Sequence, residues 1–112
     1  MIKRQEDFKA IMDFWDWERQ QENNPYGKEA WPEFERISHF SGWCAFCEYN
    51  ECIKCPLRME LGRCCNENSA YDKWKYPEDY RKTEKTQNNL RKKMAEKIYQ
   101  FCKKYYEQEF RG

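Results

Sequence analysis

The chain has 112 residues, which suits a single domain, and it lacks the run of about 18 apolar residues that would predict a membrane span. Aromatic residues make up 18% of the chain and charged residues 37%, and valine is absent, so the core must be built from a few large rings. A formal net charge of +1 argues against a protein that coats nucleic acid through bulk charge.

Charge and cysteine content point to a cytoplasmic metal protein. Residues 1–50 carry 6 basic and 10 acidic side chains, whereas residues 51–112 carry 15 basic and 10 acidic ones. The first residues lack the apolar core of a secretory signal, which predicts a location in the reducing cytoplasm. In that compartment a cluster of cysteines binds metal more often than it forms disulfides, and an odd total of 7 fits a disulfide framework poorly.

An amphipathic helix is predicted over residues 1–24, with its body running from Arg4 to Asn23. The pattern rests on apolar side chains at three- and four-residue steps: Phe8, Ile11, Met12 and Trp15. Pro25 ends the helix because it disfavours helical backbone at the preceding residue. Phe14 and Trp17 fall off this stripe, so they form either a second contact face or exposed rings available to a partner protein.

An irregular segment is predicted over residues 25–76. A short helical turn is expected from Pro32 to Ile37, because proline suits the first position of a helix. Near the end of the segment, Tyr71, Trp74 and Tyr76 are expected to fold back onto the core.

This segment contains a cysteine motif that could bind a metal ion. Two Cys-x-x-Cys pairs, separated by four residues, supply four thiolates: Cys44, Cys47, Cys52 and Cys55. A tight turn brings both sulfurs of such a pair to one side, and four thiolates are a preferred tetrahedral set for Zn²⁺. We therefore expect a zinc ion to stabilise the middle of the chain, contributing on the order of 10 kcal/mol to folding.

Two alternatives to this ligand set stay open. The gap between the pairs is shorter than in a usual zinc ribbon, so Cys64, Cys65 or His39 could replace one of the four. The spacing from Cys47 through Cys52 to Cys55 is also that of plant-type ferredoxins, which would indicate an iron–sulfur cluster. Cys102 is expected in the core instead.

A long helix is predicted over residues 77–112, from Pro77 to about Phe110. Its narrow apolar stripe follows alternating three- and four-residue steps: Leu90, Met94, Ile98, Phe101 and Tyr105. The aromatic residues of the first helix should pack against this stripe. The fold class is thus mostly α, with two helices around a metal-stapled, irregular cysteine-rich segment.

The long helix also carries a basic run that could contact phosphates: Arg81, Lys82, Lys85, Arg91, Lys92, Lys93 and Lys97. Trp74, Tyr76 and Tyr80 stand near its start, where they could stack on bases. The competing interpretation is an ordinary solvated helix face.

Enzymatic activity is not expected. The sequence has no glycine-rich phosphate loop and no recognisable Ser-His-Asp motif, and it has only one histidine to serve as a base. A metal held by four cysteines would have no open position for a substrate.

Five short motifs resemble small uncharacterised cysteine-rich proteins of bacteriophages and prophages. They are Trp31-Pro32, Cys44-Ala-Phe-Cys47-Glu48-Tyr49, Cys52-Ile-Lys-Cys55-Pro56-Leu57, Cys64-Cys65 and Tyr71-Asp-Lys-Trp74. The resemblance covers roughly residues 12–75 and carries over no functional residues. It implies a small phage-type chain in a bacterial cytoplasm, and many such chains bind and block a host protein, including defence nucleases, as anti-CRISPR proteins do.

Three functions are therefore considered from the sequence. The first is a non-catalytic interaction protein, encoded by a phage and inhibiting a host protein or defence complex. The second is a zinc protein that binds nucleic acid through the basic run, and the third is an iron–sulfur redox or sensing protein. The identity of the partner and the oligomeric state stay open.

Overall fold

A computed structural model of the protein describes residues 3–21, 30–38 and 69–111, with side chains through residue 110. Three α-helices lie in these ranges: α1 (Lys3–Arg19), α2 (Ala70–Lys75) and α3 (Glu84–Tyr106). No β-strand occurs in these ranges. The predictions of a mostly helical chain and of a long C-terminal helix are confirmed.

Shorter helical elements connect and extend these helices. Two 3₁₀ helices are present, Phe34–Arg36 and Pro77–Asp79. The first lies within the turn predicted from Pro32 to Ile37. A π-helical turn, Glu107–Arg111, continues α3 directly.

The C-terminal end of α1 lies earlier than predicted, at Arg19 instead of Asn23. The side-chain amides of Gln20 and Gln21 donate hydrogen bonds to the carbonyl oxygens of Asp16 and Trp17, at 2.9 and 2.8 Å. These bonds pair carbonyls of the last turn, where a helix lacks its own backbone donors, and the Trp17 carbonyl also accepts from the Gln20 backbone N–H at 3.2 Å.

The long helix also begins later than predicted, at Glu84 instead of Pro77. Thr83 has an extended backbone, and its side chain accepts a hydrogen bond from the Thr86 N–H at 3.2 Å. In return, the Thr83 N–H donates to Oγ1 of Thr86 at 3.3 Å, which completes a reciprocal cap. This cap separates α3 from the turn at Pro77, so the two form distinct elements.

The end of the segment expected to be irregular is helical, because α2 occupies Ala70–Lys75. Ser69 caps it by accepting a hydrogen bond from the Asp72 N–H at 3.0 Å. Trp74 is buried and Tyr71 is half-buried against the core, as expected. Tyr76 does not fold back onto the core, since 43% of its surface is exposed.

Helices α1 and α3 pack against each other in antiparallel directions. Near the start of α1, the Arg4 guanidinium donates to the Tyr105 hydroxyl at 2.9 Å. At its other end, Nη1 of Arg19 lies 3.0 Å from Oε1 of Glu96. The rings of Phe8 and Tyr105 lie 5.1 Å apart, so the expected packing of the first helix on the long helix is confirmed.

Aromatic rings form the centre of the core. The ring of Trp15 meets Phe14 at 4.9 Å and Trp74 at 4.8 Å, in both cases edge to face. Phe14 also meets Trp31 edge to face at 5.7 Å. Edge-to-face pairs at these distances are favourable beyond the area they bury. Three segments of the chain are thus joined by rings, as its shortage of aliphatic residues requires.

Candidate functional site

The predicted metal ligands lie outside the described residues. This applies to the four preferred cysteines, Cys44, Cys47, Cys52 and Cys55, and to the three substitutes, Cys64, Cys65 and His39. Within residues 3–21, 30–38 and 69–111, no group of three or more potential ligands is placed to hold a metal ion. The zinc and iron–sulfur hypotheses therefore stay predictions.

The structure does show how the flanks of the cysteine-rich segment are held. Ile37 is 3% exposed and belongs to the same core as Phe14 and Trp15. On the other side, Ser69 is 3% exposed and Ala70 is 6% exposed, and Ala70 joins that core too. A residue two positions before residue 39 and a residue two positions after residue 68 thus both belong to the aromatic core.

A charged pair lies inside the core between α1 and α3. Glu18 is fully buried and Arg91 is 2% exposed, and their charged groups approach to 3.8 Å. The indole N–H of Trp74 donates to the same carboxylate oxygen of Glu18 at 3.1 Å. Arg91 in turn donates to Oδ1 of Asn88 at 3.1 Å. One charge from each long helix is thus matched at their interface, next to a ring from α2.

Burial alters the ionisation of this pair. Desolvation raises the pKa of Glu18 to about 7, against the opposing effects of the Trp74 hydrogen bond and the Arg91 charge. Desolvation likewise lowers the pKa of Arg91. Among the described residues, Oε1 of Glu18 and Nε of Arg91 have no hydrogen-bond partner. This pair was not predicted from the sequence, because 72 residues lie between its members and each resembles an ordinary surface charge on its own helix.

The two candidate partner-binding rings have different positions. Phe14 is fully buried between Trp15, Trp31 and Trp74, so it offers no surface to a partner. The interpretation of Phe14 as an exposed contact residue is wrong, because the rings of α2 and of the segment at Trp31 cover it. Trp17 is half-buried at the edge of the core and keeps an exposed portion.

The predicted basic run divides in the same way. Its exposed members are Arg81, Lys82, Lys85, Lys93 and Lys97. Lys92 is half-buried. Arg91 faces Glu18 in the core, so its placement in a phosphate-binding set is wrong. Of the three nearby rings, Trp74 is buried and Tyr80 donates to a carboxylate oxygen of Asp72, which leaves Tyr76 as the exposed ring.

The basic surface also includes two lysines outside the run predicted from the sequence, Lys103 and Lys104. Both are exposed near the C-terminal end of α3. Lys104 follows Lys97 by seven residues and Lys97 follows Lys93 by four, so these three share one side of the helix. That spacing is the signal by which the sequence could have revealed them.

The helices of the described residues lack the combination of length and apolar composition that crossing a bilayer requires. Compared with protein-family models, with curated proteins and with solved structures, the chain matches none.

Proposed function

We propose that the chain is a non-catalytic interaction protein whose cysteine-rich middle is folded by one zinc ion. The observation that carries this proposal is the anchoring of that segment, because Ile37 before it and Ala70 after it lie in one aromatic core. A segment whose flanks are both fixed has less conformational entropy to lose when it closes around an ion. Six cysteines within 22 residues supply the ligands.

Four thiolates from Cys44, Cys47, Cys52 and Cys55 would fill the coordination shell of zinc and leave no site for a substrate. Such an ion stabilises a surface and performs no reaction. The motif resemblance to phage proteins supports a role for that surface in the bacterial cytoplasm, as an inhibitor that binds a host protein or a defence complex in the manner of anti-CRISPR proteins.

The metal is tested by elemental analysis and thiol counting on protein purified without added metal. The expected result is one zinc ion per chain, lost in the variants Cys44→Ser and Cys52→Ser. Cys102→Ala is the matched control, because Cys102 lies in the core on α3 and its loss should leave the zinc content unchanged. If the analysis finds iron and sulfide, with absorbance near 400 nm, the bound group is an iron–sulfur cluster and the zinc proposal is wrong. A folded protein without metal would also overturn the proposal.

The inhibitory role is tested by producing the protein in bacteria that resist a phage through a CRISPR system. Restored plaque formation is expected, together with a loss of the effect in Cys44→Ser. Trp17→Ala should weaken it without loss of zinc, because Trp17 keeps an exposed portion at the edge of the core. Unchanged resistance across several defence systems, at a verified level of folded protein, would contradict this role.

A further inference from the structure

The exposed side of α3 has an unusual charge distribution for a protein of net charge +1. Five of its lysines are exposed: Lys85, Lys93, Lys97, Lys103 and Lys104. Between the first and the last of them the sequence contains one acidic residue, Glu96. At 1.5 Å per residue, the row extends over about 28 Å of helix.

These lysines have no ionic partner within the described part of the chain. The carboxylate of Glu96 is engaged elsewhere, because it accepts hydrogen bonds from Arg19 at 3.0 Å and from Gln100 at 2.8 Å. By contrast, every basic residue described before residue 39 forms an ion pair: Lys3, Arg4, Lys9, Arg19 and Arg36. Among the described residues, the basic side chains before residue 39 are therefore ion-paired, whereas the five exposed lysines of α3 are not.

The composition of this surface indicates its partner. All exposed residues of α3 are polar, and the lysines alternate with uncharged Thr86, Asn89 and Gln100. Stable protein interfaces have an apolar centre with aromatic and arginine anchors, and lysine is depleted there. A row of lysines with neutral hydrogen-bonding side chains instead suits phosphate oxygens, which require point charges and no apolar contact.

We infer that the exposed side of α3 binds the phosphate backbone of double-stranded nucleic acid, without reading its sequence. The surface is formed by Lys93, Lys97 and Lys104, with Lys85 and Lys103 beside them. It differs from the sequence-based set by including Lys103 and Lys104 and by excluding four residues: Arg81, Lys82, Arg91 and Lys92. This inference does not depend on the zinc ion or on a host protein partner.

The test is fluorescence anisotropy of the full chain with a labelled 20-base-pair DNA duplex across a series of sodium chloride concentrations. We expect micromolar or weaker binding, with the logarithm of the affinity falling linearly with the logarithm of salt by a slope of about −3 to −4 for four phosphate contacts. The variant Lys97→Gln/Lys104→Gln should lower the affinity at least tenfold at low salt and make the slope less steep by about 2.

The matched control is Lys3→Gln/Lys9→Gln, which changes the net charge equally on α1, where both lysines already have carboxylate partners. Circular dichroism establishes that both variants keep the helical fold. An equal loss of affinity in the two variants would overturn the inference, as would binding that is insensitive to salt. Poly-L-glutamate that competes as strongly as duplex DNA at equal charge would also overturn it, because the partner would then be an acidic protein surface.

Discussion

Helices α1 and α3 share one core, but the lysines on their outer surfaces differ in whether they form ion pairs. On α1, carboxylates one turn away neutralise the lysines, with Lys3 paired to Asp7 and Lys9 to Asp13. On α3, the exposed lysines have no such partner among the described residues, and the acidic residue between them pairs with α1. Within the part of the chain that the structure describes, every basic side chain of α1 is therefore ion-paired, whereas the exposed lysines of α3 are not.

The two helices are alike only at their interface, where each contributes one buried charge. Glu18 and Arg91 meet there without solvent, while Arg19 and Glu96 meet at the edge with 27% and 46% of their side chains exposed. The same type of pair thus occurs in two dielectric environments a short distance apart. Mutations at the buried pair and at the exposed pair can therefore be compared directly.

The largest effect is expected from Trp15→Ala, which removes a fully buried ring of α1. Loss of its contacts with Phe14 and Trp74 should lower the free energy of unfolding by about 3–5 kcal/mol. Lys97→Ala on the exposed side of α3 is the comparison, with a change within about 0.5 kcal/mol. Urea denaturation followed by circular dichroism measures both, and a similar loss in the two variants would contradict the division between interior and surface.

The next effect is a pH dependence caused by Glu18. Because its pKa is about 7 in the folded protein and 4.5 as a reference, the folded state holds this proton more tightly between these values. The contribution of this bound proton to the free energy of unfolding is therefore full below pH 4.5 and is lost as pH rises through 7. The expected change is about 3 kcal/mol.

Glu18→Gln keeps the shape of the side chain and cannot titrate, so it isolates this contribution. Measured from pH 4.5 to 8, the wild-type free energy of unfolding should fall relative to that of Glu18→Gln. A difference between the two proteins that is constant over this range would show that the carboxylate is not desolvated. The charge facing Glu18 from α3 is Arg91, and the group facing it from α2 is the indole of Trp74.

The smallest effect is expected at the exposed pair of Arg19 and Glu96. A double-mutant cycle with Arg19→Met and Glu96→Gln should give a coupling energy of about 0.2–1 kcal/mol that decreases in 0.5 M salt. The same cycle at the buried pair, with Glu18→Gln and Arg91→Met, should give a larger coupling that salt changes little. Equal coupling energies at the two pairs would show that burial does not strengthen the interaction between Glu18 and Arg91.

Periodicity in the sequence was sufficient to predict which side of each long helix is apolar. Phe8, Ile11 and Trp15 are buried as predicted, and so are Leu90 and Ile98. These residues follow helical spacing, and a large apolar side chain is buried wherever a neighbouring element can cover it. Cys102 is buried as expected as well, on the same side of α3.

The features that were not predicted from the sequence depend mainly on contacts between distant segments. Phe14 lies off the stripe of α1, but Trp31 and Trp74 come from elsewhere in the chain to cover it. Glu18 and Arg91 are buried facing each other across α1 and α3, which no local pattern reveals. The start of α3 depends on the hydroxyl groups of Thr83 and Thr86, whose reciprocal cap outweighs the proline seven residues before Glu84.

The burial of Cys102 gives the protein a built-in reporter of core opening. Its thiol lies on α3 at 3% exposure, remote in sequence from the six cysteines of residues 44–65, four of which are proposed to bind zinc. An alkylating reagent can reach it only when the core around it opens, so its labelling rate measures how often that happens. Chelation that makes six thiols reactive while this seventh stays protected would show that the helical frame persists without its ion.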